Sequence, residues 1–429
     1  MDENTKDKSE KAGASGPERT GGATQKSRVI DPKVIEERIR QRRRRRIIFF
    51  AAVAAVIIVA VLLALHFTGI FDRLGKRGDD GMLVSAAIRV EYTPKGTHRL
   101  GSSGDCLIIS DGNGITGIDR DGKWKWNSTL SASNPAFSGH GDVLLVTDQS
   151  GKSIWAFDGS GFRWRYISEM PLICSFVSPS GSELAVVTEQ ENFESAVTFL
   201  NVKKDVPSER FTRRFGTYRM LAAAVSGDAA QLAASGVYYS GGSLSGTTVF
   251  MRVSDGEVYS SILTDNSVYL QLRYLDDGTL FAANSDSLRL VRKLPKVSGG
   301  DDTDREIWSR NGARTMVVDT GVVGGDLCAV AMTEANSSSG GVSSVVFYDR
   351  SGKETASLGI TDSIIGMETR GNRAAVFSSD TVYLISRSGK LIGQHKLDSA
   401  ISSIVFAGSG VLAADTADGI YLIEFTESR

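Results

Sequence analysis

The 429-residue sequence contains only three cysteines, eight prolines and four histidines. Cys106, Cys174 and Cys328 lie far apart inside apolar runs. Their odd number and their spacing argue against a disulfide framework or a zinc site. We therefore predict that they are buried thiols that pack as small hydrophobes. With 46 glycines but so few prolines, the chain is not collagen-like.

Catalytic motifs are also absent from the sequence. His66 lies in a long apolar run, while His98, His140 and His395 stand alone near predicted turns, a pattern more typical of surface residues than of ligands. There is no P-loop, H-E-x-x-H or G-x-S-x-G motif. No pair of carboxylates is set apart as in a glycoside hydrolase. We predict no catalytic residue, metal or cofactor, and we expect that the protein is not an enzyme.

Charge is scarce in one place, a run of 21 residues from Ile47 to Phe67 whose only ionisable side chain is His66. As a helix this run would be roughly 31 Å long, which matches the hydrocarbon core of a bilayer. We predict a transmembrane helix over residues 47–68. The preceding residues 1–33 have few apolar side chains and are predicted to be a disordered tail. Residues 69–85 are predicted to be a linker.

A basic juxtamembrane segment is predicted over residues 34–46, and it ends in five consecutive arginines: Arg42, Arg43, Arg44, Arg45 and Arg46. Positive charge beside a membrane span favours the cytoplasmic side, so these arginines are predicted to determine the topology. We therefore predict a single-pass plasma-membrane protein with a cytoplasmic N-terminus and an extracytoplasmic C-terminal domain. Membrane lipid is a predicted partner of the anchor and of these arginines. An arginine run can also bind nucleic acid, but the neighbouring span makes topology the better explanation, and no nucleic-acid partner is predicted.

The rest of the chain repeats a short pattern: an apolar strand, then a polar turn with glycine, as in IDRDGK, YDRSGK and ISRSGK. Eight such strands occur at intervals of about 40–50 residues, and each follows a second glycine turn and apolar strand. This period predicts an all-β fold, an eight-bladed β-propeller over residues 86–426, with seven blades as the alternative. The last unit lacks an outer strand, and Ala87–Thr93 alternates like one. We predict that this N-terminal strand closes the last blade.

The turns IDRDGKWKW and SIWAFDGSGFRWRY resemble the PQQ-like repeat, through Trp124, Trp126, Trp155 and Trp164. The order of basic tail, span and glycine-rich propeller also resembles an uncharacterised bacterial family of single-pass membrane-anchored propellers. The PQQ-like superfamily includes quinoprotein dehydrogenases and non-catalytic scaffolds, so the resemblance implies either function. Many of these dehydrogenases have a pair of adjacent cysteines, which this chain lacks. The tryptophan pattern of the repeat is also missing from most of its predicted blades.

Three long connections are predicted between the second and third strands of their blades, on one face of the propeller: Glu189–Ser195, Ser235–Gly246 and Glu334–Gly341. We predict that Phe193, Tyr238, Tyr239 and Asn336 on these loops bind a partner, either another envelope protein or a wall polymer. The alternative is that the loops are tolerated surface insertions. Two other functions stay open: an extracytoplasmic enzyme that uses a quinone or acts on glycans, and a sensor that signals to the cytoplasmic tail.

Overall fold

The computed structural model of the chain describes residues 82–427, except 112–113, 192–194, 241, 266, 293–302, 310–314 and 335–341. The described residues form eight sheets of four antiparallel strands, which are the blades of the predicted β-propeller. Contacts between the first strands of successive blades form a closed ring, so these strands are the innermost ones. The eight-bladed prediction is confirmed and the seven-bladed alternative is wrong.

The strands are numbered in chain order, and those of each blade are named from the innermost strand outward. Blade 1 consists of β2 (Arg99–Ser103), β3 (Cys106–Asp111), β4 (Gly114–Ile118) and β5 (Trp124–Ser128), and blade 2 of β6 (Pro135–His140), β7 (Val143–Asp148), β8 (Ser153–Asp158) and β9 (Gly161–Ile167). Blade 3 consists of β10 (Leu172–Val177), β11 (Glu183–Thr188), β12 (Ser195–Lys203) and β13 (Val206–Phe215), and blade 4 of β14 (Arg219–Val225), β15 (Gln231–Ser240), β16 (Ser243–Arg252) and β17 (Val258–Asp265). Blade 5 consists of β18 (Gln271–Tyr274), β19 (Leu280–Ala283), β20 (Ser287–Arg292) and β21 (Thr303–Ser309), and blade 6 of β22 (Thr315–Val323), β23 (Leu327–Glu334), β24 (Ser343–Asp349) and β25 (Glu354–Ile360). Blade 7 consists of β26 (Gly366–Arg370), β27 (Arg373–Phe377), β28 (Thr381–Ser386) and β29 (Leu391–Lys396), and blade 8 of β30 (Ile401–Gly408), β31 (Val411–Thr416), β32 (Gly419–Glu427) and β1 (Leu83–Arg89).

The N-terminal strand closes blade 8, as predicted. β1 pairs antiparallel with β32, from Leu83 opposite Glu427 to Arg89 opposite Tyr421. It therefore begins four residues before the predicted Ala87 and ends before Thr93, because the chain leaves β32 after Val90 to reach blade 1. This pairing covers the edge that β32 would otherwise expose.

Buried clusters of apolar side chains hold the ring together, and the described residues form eight of them, one between each pair of neighbouring blades. Successive residues of a middle strand point to opposite faces of its sheet, so they enter different clusters. In β3, for example, Leu107 packs toward blade 8 and Ile108 toward blade 2. Both faces of the middle strands are buried, which explains their unbroken apolar runs.

The predicted membrane anchor falls on a part of the chain that the structure does not describe. Within the described residues there is no helix long and apolar enough to span a bilayer. The predicted tail, the juxtamembrane segment and the span over residues 47–68 lie outside these residues, as does most of the predicted linker. The topology prediction therefore stays a prediction, because it depends on five residues outside the described ranges: Arg42, Arg43, Arg44, Arg45 and Arg46.

The three cysteines have the environment that their apolar sequence context predicts. Cys106 and Cys328 are buried free thiols and Cys174 is half-buried. Burial raises the pKa of the Cys174 and Cys328 thiols to about 12, so these thiols stay protonated at neutral pH. All three therefore behave as the predicted small hydrophobes.

Candidate partner-binding surface

Strand order gives the propeller two different faces. The turns from first to second strand and from third to fourth strand lie toward one face, which we call the turn face. The loops from second to third strand and the connections between blades lie toward the other, which we call the crossover face. Since β1 begins opposite Glu427 at the end of β32, the chain enters the propeller from the turn face. Of the predicted partner-binding residues, Tyr238 and Tyr239 belong to the crossover face.

The structure places only part of the predicted site. Phe193 and Asn336 lie outside the described residues. Tyr238 and Tyr239 lie in β15, because the segment predicted as the loop Ser235–Gly246 is mostly strand. β15 and β16 form a hairpin that continues to the pairs Tyr239–Leu244 and Ser240–Ser243. The prediction of a flexible loop is wrong here, and a β-hairpin takes its place.

The tip of this hairpin projects past its own sheet. The inner neighbour β14 pairs with β15 only as far as Val237, and the outer neighbour β17 pairs with β16 only as far as Ser245. Beyond these residues, within the described part of the chain, no third strand is paired with the hairpin. The exposed fraction of the Leu244 side chain at the tip is 55%. An apolar side chain is thus presented on a regular strand at the crossover face.

Two glycines let neighbouring backbone approach the hairpin closely. A Cβ atom on Gly246 would lie 1.7 Å from the carbonyl oxygen of Ser267, in the connection to blade 5. A Cβ atom on Gly236 would lie 2.2 Å from the carbonyl oxygen of Arg219. Glycine is needed at both positions for this close approach, and the same glycines gave the segment its loop-like composition.

Aromatic side chains support the base of the hairpin. The rings of Tyr218 and Tyr238 meet edge to face with centroids 5.5 Å apart, and Tyr218 meets Phe215 in the same way at 6.1 Å. Phe215 is buried, while the two tyrosines are half-buried. Next to them, Arg219 forms an ion pair with Glu189, the first residue of the blade 3 loop predicted to bind a partner. These contacts fix the direction of the hairpin relative to blade 3.

Further apolar side chains are exposed at the crossover end of blade 4. Leu263 lies two residues before the end of β17, and Leu270 lies in the connection to blade 5; more than half of each side chain is exposed. We call Tyr238, Leu244, Leu263 and Leu270 the hairpin patch. The strand register places Leu244 on the sheet face toward blade 5 and Tyr238 and Leu263 on the face toward blade 3, so the patch covers both sides of this end of the blade. Tyrosine and leucine beside polar strands are typical of the centre of a protein interface.

One histidine has a specific partner that its sequence context does not indicate. The Nε2 atom of His98 lies 2.8 Å from Oδ1 of Asp415, and the hydroxyl of Ser402 donates to Oδ2 of the same carboxylate at 2.8 Å. His98 and Ser402 both bond to Asp415 rather than to each other. This is a carboxylate held by two donors, and not the serine–histidine relay of a hydrolase.

Stability should depend on pH through this pair. Burial lowers the pKa of His98, but hydrogen bonds to Asp415 and Gly96 and the charge of Asp415 outweigh burial, so the pKa is raised above its usual value. The imidazolium therefore stabilises the fold below the unfolded-state pKa, and this stabilisation is lost as pH rises through the raised folded-state pKa. We expect His98→Gln to lower the free energy of unfolding by about 1–2 kcal/mol near pH 5.5 and by clearly less near pH 8.

Urea unfolding at both pH values measures this effect, and His395 provides the matched control. Burial lowers the pKa of His395, so protonation of this histidine opposes folding. His395→Gln should therefore change the free energy of unfolding more favourably near pH 5.5 than near pH 8. This pH dependence is opposite in sign to that of His98→Gln. Equal losses for His98→Gln at both pH values would contradict the charged pair.

Three charged residues lie on neighbouring innermost strands around the central channel. Arg273 Nη2 is 4.0 Å from Asp319 Oδ1, and Glu368 lies on the next strand. The side chain of Glu368 contacts solvent in the channel, but protein atoms surround it on the innermost strands. Desolvation by this protein, followed by the negative charge of Asp319, raises the pKa of Glu368 to about 7. Desolvation also raises the pKa of Asp319, although Arg273 opposes it. Among the described residues no group of three His, Cys, Asp or Glu side chains could hold a metal ion.

Comparisons with known proteins agree with the fold and name no activity. A family model described as a family of unknown function (DUF5711) matches residues 90–422. No curated protein matches the chain. Among solved structures, Saccharomyces cerevisiae Sqt1 is 11% identical with a TM-score of 0.50, over 81% of this chain and 100% of that one. The Cps50 (Swd1) β-propeller domain of Myceliophteria thermophila is 12% identical with a TM-score of 0.45, over 79% of this chain and 100% of that one.

Proposed function

The chain belongs to the family of unknown function DUF5711, and we propose that it is a membrane-anchored, non-catalytic propeller that binds another envelope protein through its crossover face. One observation carries the proposal: the β15–β16 hairpin projects from blade 4 and presents Leu244 to solvent on a paired strand. A rigid strand that displays an apolar anchor loses little conformational entropy when a partner binds.

The proposed anchor is the predicted span over residues 47–68, with the N-terminus in the cytoplasm. The chain enters the propeller from the turn face, which supports an arrangement in which the crossover face points away from the membrane. A partner in the envelope could then reach the hairpin patch without competing with the bilayer. The PQQ-like resemblance stays a prediction, and the proposal does not depend on it.

A protein is a better fit to the hairpin patch than a wall polymer. The exposed side chains at the crossover end of blade 4 include the three leucines 244, 263 and 270, and burial of leucine is a general source of protein–protein affinity. Strand β15 also continues past Val237, where its pairing with β14 ends, and an extended segment of a partner could add to this edge. We therefore propose a protein partner, with a wall polymer as the alternative that the experiment must separate.

Leu244→Asp should reduce capture of the partner at least tenfold in an in-cell crosslinking pull-down of the full chain. A charge at the hairpin tip would have to be desolvated in the interface, and a loss of about 1.4 kcal/mol is already tenfold. The crosslinked product should have a defined mass and should be sensitive to protease but not to enzymes that digest the wall. A product with the opposite sensitivities would identify the partner as a wall polymer.

Ile365→Asp is the matched control for this experiment. Ile365 is an exposed apolar residue on the same face, but it lies in the connection between blades 6 and 7. We expect this variant to capture the partner as the unchanged chain does. If Leu244→Asp retains full capture, or if both variants lose it equally, the hairpin patch is not the binding surface.

A further inference from the structure

A second apolar surface lies on the outer strands of four consecutive blades. Seven large apolar side chains on or beside these strands are between 47% and 68% exposed, and one of them, Ile167, ends β9 on the crossover side of blade 2. The other six are half of all exposed large apolar side chains in the described residues. We call them the apolar rim: Met82, Val84 and Ile88 of blade 8, Trp124 of blade 1, Phe162 of blade 2 and Val206 of blade 3. The rim is distinct from the hairpin patch, which belongs to the crossover end of blade 4.

Contacts between adjacent blades make the rim continuous. A Cβ atom on Gly122, in the turn before Trp124, would lie 3.7 Å from Ile88 of blade 8. A Cβ atom on Gly161, the first residue of β9, would lie 3.7 Å from the ring of Trp126 in blade 1. The rim therefore follows the circumference of the ring from the residue where the described chain begins.

Comparison of equivalent positions shows that the fold does not require these apolar residues. Trp124 and Phe162 each follow the turn between third and fourth strands, where they pair with Ile118 and Phe157. In blade 6 the same turn leads into Glu354, which pairs with Tyr348 and is exposed. A charged residue is thus compatible with this position of a blade. Exposed tryptophan and phenylalanine at this position are a property of one sector of the ring.

Basic side chains flank the rim residues. Lys123 and Lys125 are exposed on either side of Trp124, and Lys203 and Lys204 are exposed just before Val206. At the position of Lys123, the equivalent turn of blade 4 has Glu257, whereas that of blade 6 has Lys353. Two residues earlier, blades 1 and 4 both have an aspartate, Asp121 and Asp255. Tryptophan is enriched at the headgroup level of membranes, and each lysine near an anionic surface contributes about 1 kcal/mol of attraction.

We infer that the apolar rim lies on the membrane surface, with Trp124 among the lipid headgroups and the lysines beside anionic lipid. This inference rests on the proposed anchor. Met82, the first described residue, belongs to the rim, and 13 residues separate it from the end of the predicted span at residue 68. Extended, these residues reach roughly 45 Å at most, so the anchor would hold this sector of the ring near the bilayer.

Quenching of tryptophan fluorescence by brominated lipid tests the rim directly. The full chain is reconstituted into vesicles of phosphatidylcholine and phosphatidylglycerol, with and without bromine on the acyl chains. We expect at least twofold more quenching for the unchanged chain than for Trp124→Phe, because the quencher reaches only a side chain at the bilayer. Trp124 is mostly exposed, so this conservative change should leave the fold intact.

The matched control moves the tryptophan to the equivalent position of blade 6. The double variant Trp124→Phe, Glu354→Trp should show no more quenching than Trp124→Phe alone. Equal quenching of the unchanged chain and Trp124→Phe would contradict contact between the apolar rim and the membrane. Quenching of the double variant at the level of the unchanged chain would contradict it as well. A protein occupant of the rim would also leave Trp124 unquenched in these vesicles.

Flotation after alkaline extraction separates this inference from the anchor itself. Chain that floats with the vesicles is anchored. Its quenching then tests only whether the apolar rim contacts the membrane. Chain that fails to float would contradict the proposed anchor and, with it, the inference that depends on it.

Discussion

Replacing Ala86 with proline should lower the free energy of unfolding by about 2–3 kcal/mol, whereas proline at Ala87 should cost about 1 kcal/mol or less. The two residues are neighbours in β1 and differ in where their N–H groups point. The backbone N–H of Val90 donates to the carbonyl oxygen of Ile420 at 2.8 Å. Hydrogen-bonded pairs alternate along an antiparallel ladder, so the N–H of Ala86 faces Glu424 in β32 and that of Ala87 faces away.

Proline at Ala86 removes a bond of the ladder that closes the ring and leaves the acceptor on β32 without its donor. Proline at Ala87 removes an N–H that does not contribute to the ladder. Denaturant unfolding followed by tryptophan fluorescence measures both effects. If Ala86→Pro loses no more stability than Ala87→Pro, the hydrogen bond from Ala86 to β32 does not contribute to closure of the ring.

Phe347→Ala should lower the free energy of unfolding by about 3–5 kcal/mol. Phe347 lies on the third strand of blade 6 with no solvent exposure, in the cluster between blades 6 and 7. Removal of its ring exposes a cavity between two sheets that are fixed by their other neighbours and cannot collapse to fill it. Phe157, Phe199 and Phe250 are buried on the corresponding strands of blades 2, 3 and 4, so these blade interfaces depend on similar side chains.

Phe347→Leu is the comparison that keeps most of the volume, and we expect it to cost about 1.5 kcal/mol or less. Phe162→Ala is the surface comparison, since about half of that side chain is already exposed. In thermal or denaturant unfolding, Phe347→Ala should show by far the largest loss of the three variants. A loss for Phe347→Ala as small as that for Phe162→Ala would contradict tight packing between the blades.

The blades were predictable because two of their four strands have strong local signals. The eight third strands predicted from the repeat all occur, from Gly114–Ile118 in blade 1 to Gly419–Glu427 in blade 8. They could be found because they are apolar on both faces and many end at a turn with glycine, such as Gly352, whose φ is +72°. Even blade 5, interrupted by a polar insert, keeps its four strands.

The innermost strands gave no comparable signal. Arg99–Ser103 and Gly366–Arg370 are short and contain small and charged residues, because one edge of each lines the channel. Their position follows only from the closed ring of contacts between blades. The same limit hid the partner of His98, since Asp415 is 317 residues away and reaches it only when blade 8 meets blade 1.

Of the residues predicted to bind a partner, the structure describes Tyr238 and Tyr239, and it places them in a hairpin strand and not in a loop. Tyr238 does lie at the crossover face, as the strand order required. Composition failed to show the hairpin, because Gly236 and Gly246 are typical of loops, whereas in this fold they permit close contact between strands and connections. Neither the turn residues nor the length of the predicted loop indicated that the side chain of Leu244 is exposed. The sequence has no feature that identifies it before the register of β15 and β16 is known.

The pairing of β1 with β32 also bears on how the protein is made. The two strands are separated by about 330 residues of chain, so at 5–20 residues per second a ribosome needs roughly 20–70 s to deliver the second after the first. During this time the seven other blades can form, but the ring stays open and β1 has no partner. A nascent chain held at this stage offers a free strand to any other open ring, so exchange of β1 between two copies is the misassembly that this topology invites.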